Sequence, residues 1–351
     1  MGVKKILPSP KWKLEEIVNH DLITGNSFFV GCVSFEDRCK TAVRKMLPVV
    51  NQSFPMTFIE FEDDECTYSL WKSKCDSQTY GNWTTLERMM HGANIKINDR
   101  PIRYSMASRT EDILKLKDYF GNFIKENFPK GNGVRAILDF SCIPGYFAFQ
   151  LLKHMIEDET IHDLVILYTK PGKYPPVNEP LKTSPFDKTK PDFLPAFGIG
   201  GDKVKWVVSL GFDQDSVINA ERIRDRSLKI EKKYVLIPFP GYKPEYVYRT
   251  FYDNKKILEA NQDFRYVPAD NPFRTFDLLC EIINNEINFI LSSFGPKPIG
   301  LGMAMAAVKL KLPILHVQAI NYNPGYSSGE GDTLAYWVKY RGKCWWEYIN
   351  T

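Results

Sequence analysis

The chain has seven cysteines among its 351 residues, yet no two of them are spaced CxxC. Cys32, Cys39, Cys66, Cys75, Cys142, Cys280 and Cys344 are odd in number and scattered, which fits neither a zinc site nor a secreted disulfide scaffold. Reduced thiols in a cytoplasmic protein are the expectation. No apolar run approaches the roughly 18 residues that read as a membrane-spanning helix. The start MGVKKILPSP has no signal-peptide core and, with Ile6 in sixth place, no myristoylation signal. Histidine is scarce at five residues, and none falls in a ligand or catalytic motif. The GxxxxGK[ST] phosphate loop is missing, as is a GxGxxG after a first strand. A net charge of only +4 excludes the dense Lys/Arg stripe of a dedicated nucleic-acid binder, while a mildly basic chain suits an anionic ligand. The acidic EFEDDE (60–65) has no lysine-bearing strand to match it and reads as a solvated tip rather than a magnesium site. No metal, cofactor or membrane partner is expected.

What is present is a repeat. Five segments recur in the same order in both halves of the chain. FFVGCVSFEDRCKTAVRKM (28–46) aligns with WVVSLGFDQDSVINAERI (206–223), and MTFIEF (56–61) with YVLIPF (234–239). RYSMASRTEDILKL (103–116) aligns with RYVPADNPFRTFDLL (265–279), and AILDFSCIPG (136–145) with FILSSFGPKPIG (289–300). LVILYTKPGKY (164–174) aligns with PILHVQAINYNPGY (313–326). Short runs rich in Val, Ile and Phe alternate with helical patterns, such as the one from Thr110 to the stop at Pro129, Gly131 and Gly133. The expected class is α/β: two tandem Rossmann-like (βα)-repeat domains with mostly parallel sheets, related by internal duplication, plus a C-terminal β-hairpin. The boundaries are a lead-in over 1–27, half 1 over 28–172 with an insertion at 66–99, a linker over 173–204, half 2 over 205–325, and the hairpin over 326–351. Two strands, 334–340 and 344–349, would form that hairpin around Arg341-Gly342-Lys343 at a sheet edge. Its Tyr336, Trp337, Tyr340, Trp345 and Trp346, with Lys339, Arg341 and Lys343, could stack on nucleic-acid bases. Packing against an edge or a partner is the commoner use of such a set.

In open α/β sheets ligands bind beyond the carboxyl ends of the strands. The loops in that position supply the candidates: Ser34 and Arg38 in SFEDR, Ser141, Gly145 and Tyr146 in DFSCIPGY, Gly211 in GFDQDS, and Gly241 in PFPGYKP. SSFGPKPIG adds Ser292, Ser293, Gly295, Lys297 and Pro298. In this last loop Gly295 permits an unusual backbone path, Pro298 suits a first helical turn, and Lys297 places a cation beside that turn. The same residues also suit a tight strand-to-helix turn that holds nothing. Glu36 and Asp37 fit a helix start, as do Asp213 and Asp215; Arg38 has no counterpart in half 2 and is the better anion contact. For catalysis the candidates are Cys142 at a strand tip, Glu36 and Asp139, with a packed small side chain as the plain reading of Cys142. A GxSxG elbow is absent.

SSFGPKPIGLGMAMAA resembles the Gly-x-Lys-Pro loop and small-residue helix of the CRISPR-associated Rossmann fold, and a chain with two such halves is similar to a SAVED-type domain. The resemblance rests on Gly295, Lys297, Pro298 and the serines before them; the counterpart SCIPGY has no lysine. It implies a sensor of cyclic or linear oligonucleotide signals in prokaryotic antiviral defence, with the ligand shared by paired halves and the output passed to an effector partner. Three functions follow as expectations. The first is a subunit that senses a nucleotide or other phosphate-bearing ligand and acts through a protein partner. The second is an enzyme acting on a nucleotide or phosphorylated substrate between the halves, as a metal-independent phosphodiesterase or hydrolase. The third is a scaffold subunit.

Overall fold

SFFVGCV at Ser27–Val33 and VRAILD at Val134–Asp139 are buried at every position. Such continuous burial marks central strands covered by helices on both faces. The computed structural model describes residues 11–18, 22–62, 72–95, 97, 100–105, 109–129, 133–174, 192–194, 203–224, 229–260, 263–286, 288–316, 325 and 327–349. The chain divides into two units, residues 1–174 with 324–351, and residues 175–323.

The first unit contributes β1 (Lys11–Lys13), β2 (Ser27–Val33), β3 (Met56–Glu62), β4 (Ile102–Ser105), β5 (Val134–Asp139) and β6 (Ile161–Lys173). The second holds β7 (Asp192–Leu194), β8 (Lys203–Ser209), β9 (Lys229–Pro238), β10 (Phe264–Val267), β11 (Phe289–Ser293) and β12 (Ile314–His316). The chain then returns to the first unit with β13 (Ser328–Tyr340) and β14 (Lys343–Cys344).

In the first unit the sheet runs β1-β13-β6-β5-β2-β3-β4, with β14 on β13. The path from β6 to β4 is parallel throughout, while β13 is antiparallel to both β6 and β1. In the second unit the order is β10-β9-β8-β11-β12-β7, parallel except for β7. Counted from the first strand of each parallel core, both cores have the order 3-2-1-4-5. Unrelated doubly wound folds share that order, so it is evidence of fold and not of duplication. The chain reverses its winding direction between β2 and β5 in one unit and between β8 and β11 in the other.

Three expectations need correction. The lead-in is part of the sheet: β1 pairs with β13, and Leu14, Ile17 and Leu22 belong to the core. The proposed linker includes β7, which extends the second sheet beside β12. The tail does form a hairpin, β13 with β14 around Arg341-Gly342, but not one added at a sheet edge. β13 lies inside the sheet, and Trp345–Ile349 is helical rather than a second strand. Glu347 accounts for the change, because its carboxylate reaches back to accept the N–H of Cys344, as in half of a capping box. The helix expected over 110–128 forms at Arg109–Asn127, and most of the insertion is the helix Lys72–Gly92, which adds Trp83, Leu86 and Met90 to the core. No helix among the described residues is long and apolar enough to cross a membrane.

Candidate functional site

The crevice at a winding reversal is where a doubly wound sheet receives its ligand. In the first unit the loops at that point follow β2 and β5. Arg38 lies in a helical turn at Asp37–Lys40 and is buried. Its Nε donates to Glu36 Oε2 at 2.9 Å and its Nη2 lies 2.7 Å from the same oxygen. Nη1 donates to the carbonyl of Thr169 at 3.1 Å. Burial opposes the charge of Arg38, but Glu36, with Tyr168 behind it, more than offsets that and holds its pKa well above the ordinary value. Glu36 Oε2 also accepts from Ser327 Oγ at 2.6 Å. The proposed anion contact is thus the centre of an internal ion-pair network, and Glu36 is bound into it.

Asp139 is buried and accepts the N–H of Ser141 at 3.0 Å, closing the turn that leaves β5. Ser141 is fully buried, and its hydroxyl accepts the N–H of Thr169 at 2.8 Å, tying this turn to β6. Cys142 and Tyr146 are buried beside it, and Gly145 opens the helix Gly145–Glu157. Ser34 lies in the β2 loop, where its carbonyl accepts from Asn82 Nδ2 at 2.8 Å. The structure therefore gathers Glu36, Arg38, Asp139 and Ser141 at one reversal and uses their polar groups to hold the loops together. Thr169, Ser327 and Asn82 complete this network, and sequence reasoning missed them. Ser327 lies 291 positions from Glu36, and no local pattern links the two.

In the second unit the loops after β8 and β11 cross at close range. A Cβ on Gly211 would sit 2.0 Å from the carbonyl oxygen of Phe294, and one on Gly295 would sit 2.7 Å from that of Leu210. Both positions therefore require glycine. Phe294 N–H donates to Ser209 O at 3.0 Å, and Gly295 N–H reaches Ser209 Oγ at 3.4 Å. Ser209 Oγ also donates to Ser293 Oγ at 3.3 Å. Ser292 is buried and accepts the indole N–H of Trp206 at 2.9 Å, so its hydroxyl serves the core.

The helix Lys297–Leu310 starts directly after this crossing, with Lys297 half-buried in its first turn and every residue from Pro298 to Ala307 buried. Its first turn has no side-chain cap. Lys297 thus brings a cation to the end of the helix where the dipole favours anions.

Asp213 caps its own helix, with Oδ1 accepting the N–H of Ser216 at 3.1 Å. The neighbouring loop rests on residues that sequence reasoning passed over. Arg249 is buried, lies 3.2 Å from Asp253 and stacks 4.4 Å over the ring of Phe212. Burial raises the carboxyl pKa of Asp253, against the pull of Arg249 and with the help of Asp213. Asn254 Nδ2 donates to Gly211 O at 2.8 Å and Thr250 O at 2.9 Å, while its buried Oδ1 has no hydrogen-bond partner among the described residues. Gly241 belongs to the turn after β9, next to a cis Phe239–Pro240 bond, and is partly buried.

In the tail, Tyr336 and Trp337 are buried, and Lys339 donates to the carbonyls of Ile156 and Asp158 at 3.1 and 2.8 Å. These three are taken up by the fold, while Tyr340, Trp345 and Trp346 are partly buried and Arg341 and Lys343 are exposed. Of EFEDDE, Glu60 meets Arg103 at 3.2 Å, while Asp63, Asp64 and Glu65 lie outside the described residues. Among the described residues no cluster of His, Cys, Asp and Glu could hold a metal ion.

Fold and loops together define an α/β protein with two doubly wound sheets, the reversal loops of the first held by buried polar contacts and those of the second crossing at close range. The chain matches no protein-family model, and no curated protein matches its sequence.

Proposed function

We propose that the chain is a binding module for an anionic, nucleotide-type ligand, held at the loop crossing of the second unit, and that it reports occupancy to a protein partner. The observation that carries this reading is Lys297. It is a cation in the first turn of a buried helix, directly after a glycine crossing at the position where doubly wound sheets take their ligands. A phosphate bound there would meet both the helix N-terminus and the Lys297 cation, with a charge-assisted hydrogen bond to the latter. The resemblance to oligonucleotide-sensing Rossmann folds of antiviral defence names the ligand class, with cyclic oligonucleotides among its members. The first unit supports binding over catalysis, since Glu36 and Asp139 are engaged in structural contacts and Cys142 is buried.

A thermal-shift panel of mono-, di-, linear oligo- and cyclic oligonucleotides tests the reading. At least one is expected to raise the melting temperature of the wild type, and Lys297→Ala is expected to remove the rise. A panel that leaves the wild type unmoved would sink the proposal.

A further inference from the structure

β10 ends the second sheet, and among the described residues it pairs with β9 alone. Helices cover both faces of most strands in a doubly wound sheet. Here Phe264, Arg265 and Tyr266 are exposed in succession, so both faces of the strand are open. Phe264 is 37% and Tyr266 50% exposed, with their rings 5.9 Å apart. Phe239, 51% exposed, adds a third ring 5.7 Å from Tyr266. Edge strands are normally blunted by shortness, charged side chains, proline or a bulge. β10 is short and carries the charged Arg265, but it has no proline and keeps unbroken register with β9.

The backbone of this edge is directed outward at alternate residues. Val235 N–H donates to Asp263 O, and Phe239 N–H donates to Val267 O. Residues 263 and 267 thus face β9, and the polar groups of Phe264 and Tyr266 point the other way. The carbonyl of Phe264 is met there by the strand's own Arg265 Nη1, at 3.1 Å. On the opposite face of the strand, Arg265 pairs with Asp263 at 2.7 Å.

This order of charges is self-complementary. In an antiparallel pair of β10 strands with a two-fold axis at Phe264, Asp263 of each copy stands opposite Arg265 of the other. Phe264 meets its counterpart as a hydrogen-bonded pair once Arg265 turns from the Phe264 carbonyl to Asp263 of the other copy. An axis one residue later would oppose the two Arg265 side chains, which is unfavourable. We propose that β10 pairs antiparallel with β10 of a second copy of this chain about Phe264, with Phe264, Tyr266 and Phe239 forming the apolar contact. This inference is independent of the ligand reading.

Sedimentation equilibrium on the full chain tests it. The wild type is expected at twice the chain mass of 40.6 kDa. Asp263→Arg places arginine opposite arginine, and Arg265→Asp places aspartate opposite aspartate. Each alone is expected to weaken association at least ~10-fold, while an equimolar mixture regains the dimer, because every opposed pair is then of opposite sign. Asp263 also pairs with Lys232 at 2.8 Å, so Asp263→Arg perturbs its own chain as well. Phe264→Asp, which touches no such pair, supplies a second monomeric variant. A monomeric wild type, even one that binds single-stranded nucleic acid through these rings, overturns the proposal. So do variants that stay dimeric, or a mixture of folded single variants that stays monomeric.

Discussion

Arg38 shows how a residue can read as a ligand contact and prove to be part of the frame. Its partners, Glu36 beside it and Thr169 from β6, surround the guanidinium and leave its side chain 7% exposed. Truncating one member of a buried pair leaves the other charged and desolvated, so Arg38→Ala is expected to cost about 3–5 kcal/mol in urea unfolding. The glycines at the crossing give a second prediction at this scale. Gly211→Ala drives a methyl into the backbone of Phe294 and is expected to cost about 3 kcal/mol. Gly25→Ala, with nothing within 4 Å among the described residues, is expected to stay within about 0.5 kcal/mol of the wild type. The thiols give a third. Burial pushes Cys39 and Cys344 from 9.0 up to about 12. Both should resist iodoacetamide at neutral pH in the folded protein, while the half-buried Cys75 reacts. Because the folded values are raised, their contribution to stability is present below pH 9.0 and is lost as pH rises through about 12. Gly295 stood out as a turn glycine, yet what requires glycine there is the carbonyl of Leu210 on another loop, 2.7 Å from where its Cβ would sit. The role of Arg38 was equally hidden, since Thr169 and Ser327 come from distant parts of the chain.

At the level of elements, the parallel strands were legible because each is a short run of apolar, β-branched residues between loop signals. The tail was harder. LAYWVKY has the apolar character of a strand, but nothing local says whether that strand ends a sheet or lies inside one. Its place between β1 and β6 depends on long-range pairings such as Tyr336 with Lys11 and Ile166. Of the strand expected over 344–349 only Cys344 pairs with β13, and the reach of Glu347 back to Cys344 starts a helix at Trp345 instead. Lys339 has a role that its spacing did not reveal: it satisfies two carbonyls at the end of the helix Gly145–Glu157. Lys339→Met keeps the apolar stem and removes both hydrogen bonds, and chemical denaturation should register a loss of about 1–3 kcal/mol.

Across the whole molecule, each sheet is completed within one unit. The second unit holds all of β7 to β12, and the first takes β13 from the end of the chain. A fragment spanning 175–323 is therefore expected to keep its β-sheet circular-dichroism signal and a cooperative melt. A chain cut before Ser328 loses β13, exposes β6, and should unfold in the first unit, as limited proteolysis of residues 11–174 would show.

The central claim concerns Lys297 and an anion. Isothermal titration of the full chain with the nucleotide that gives the largest thermal shift is its most direct test, comparing wild type with Lys297→Ala. Loss of a charge-assisted hydrogen bond predicts binding weaker by roughly 10- to 100-fold. Equal affinity in the two proteins would contradict the account.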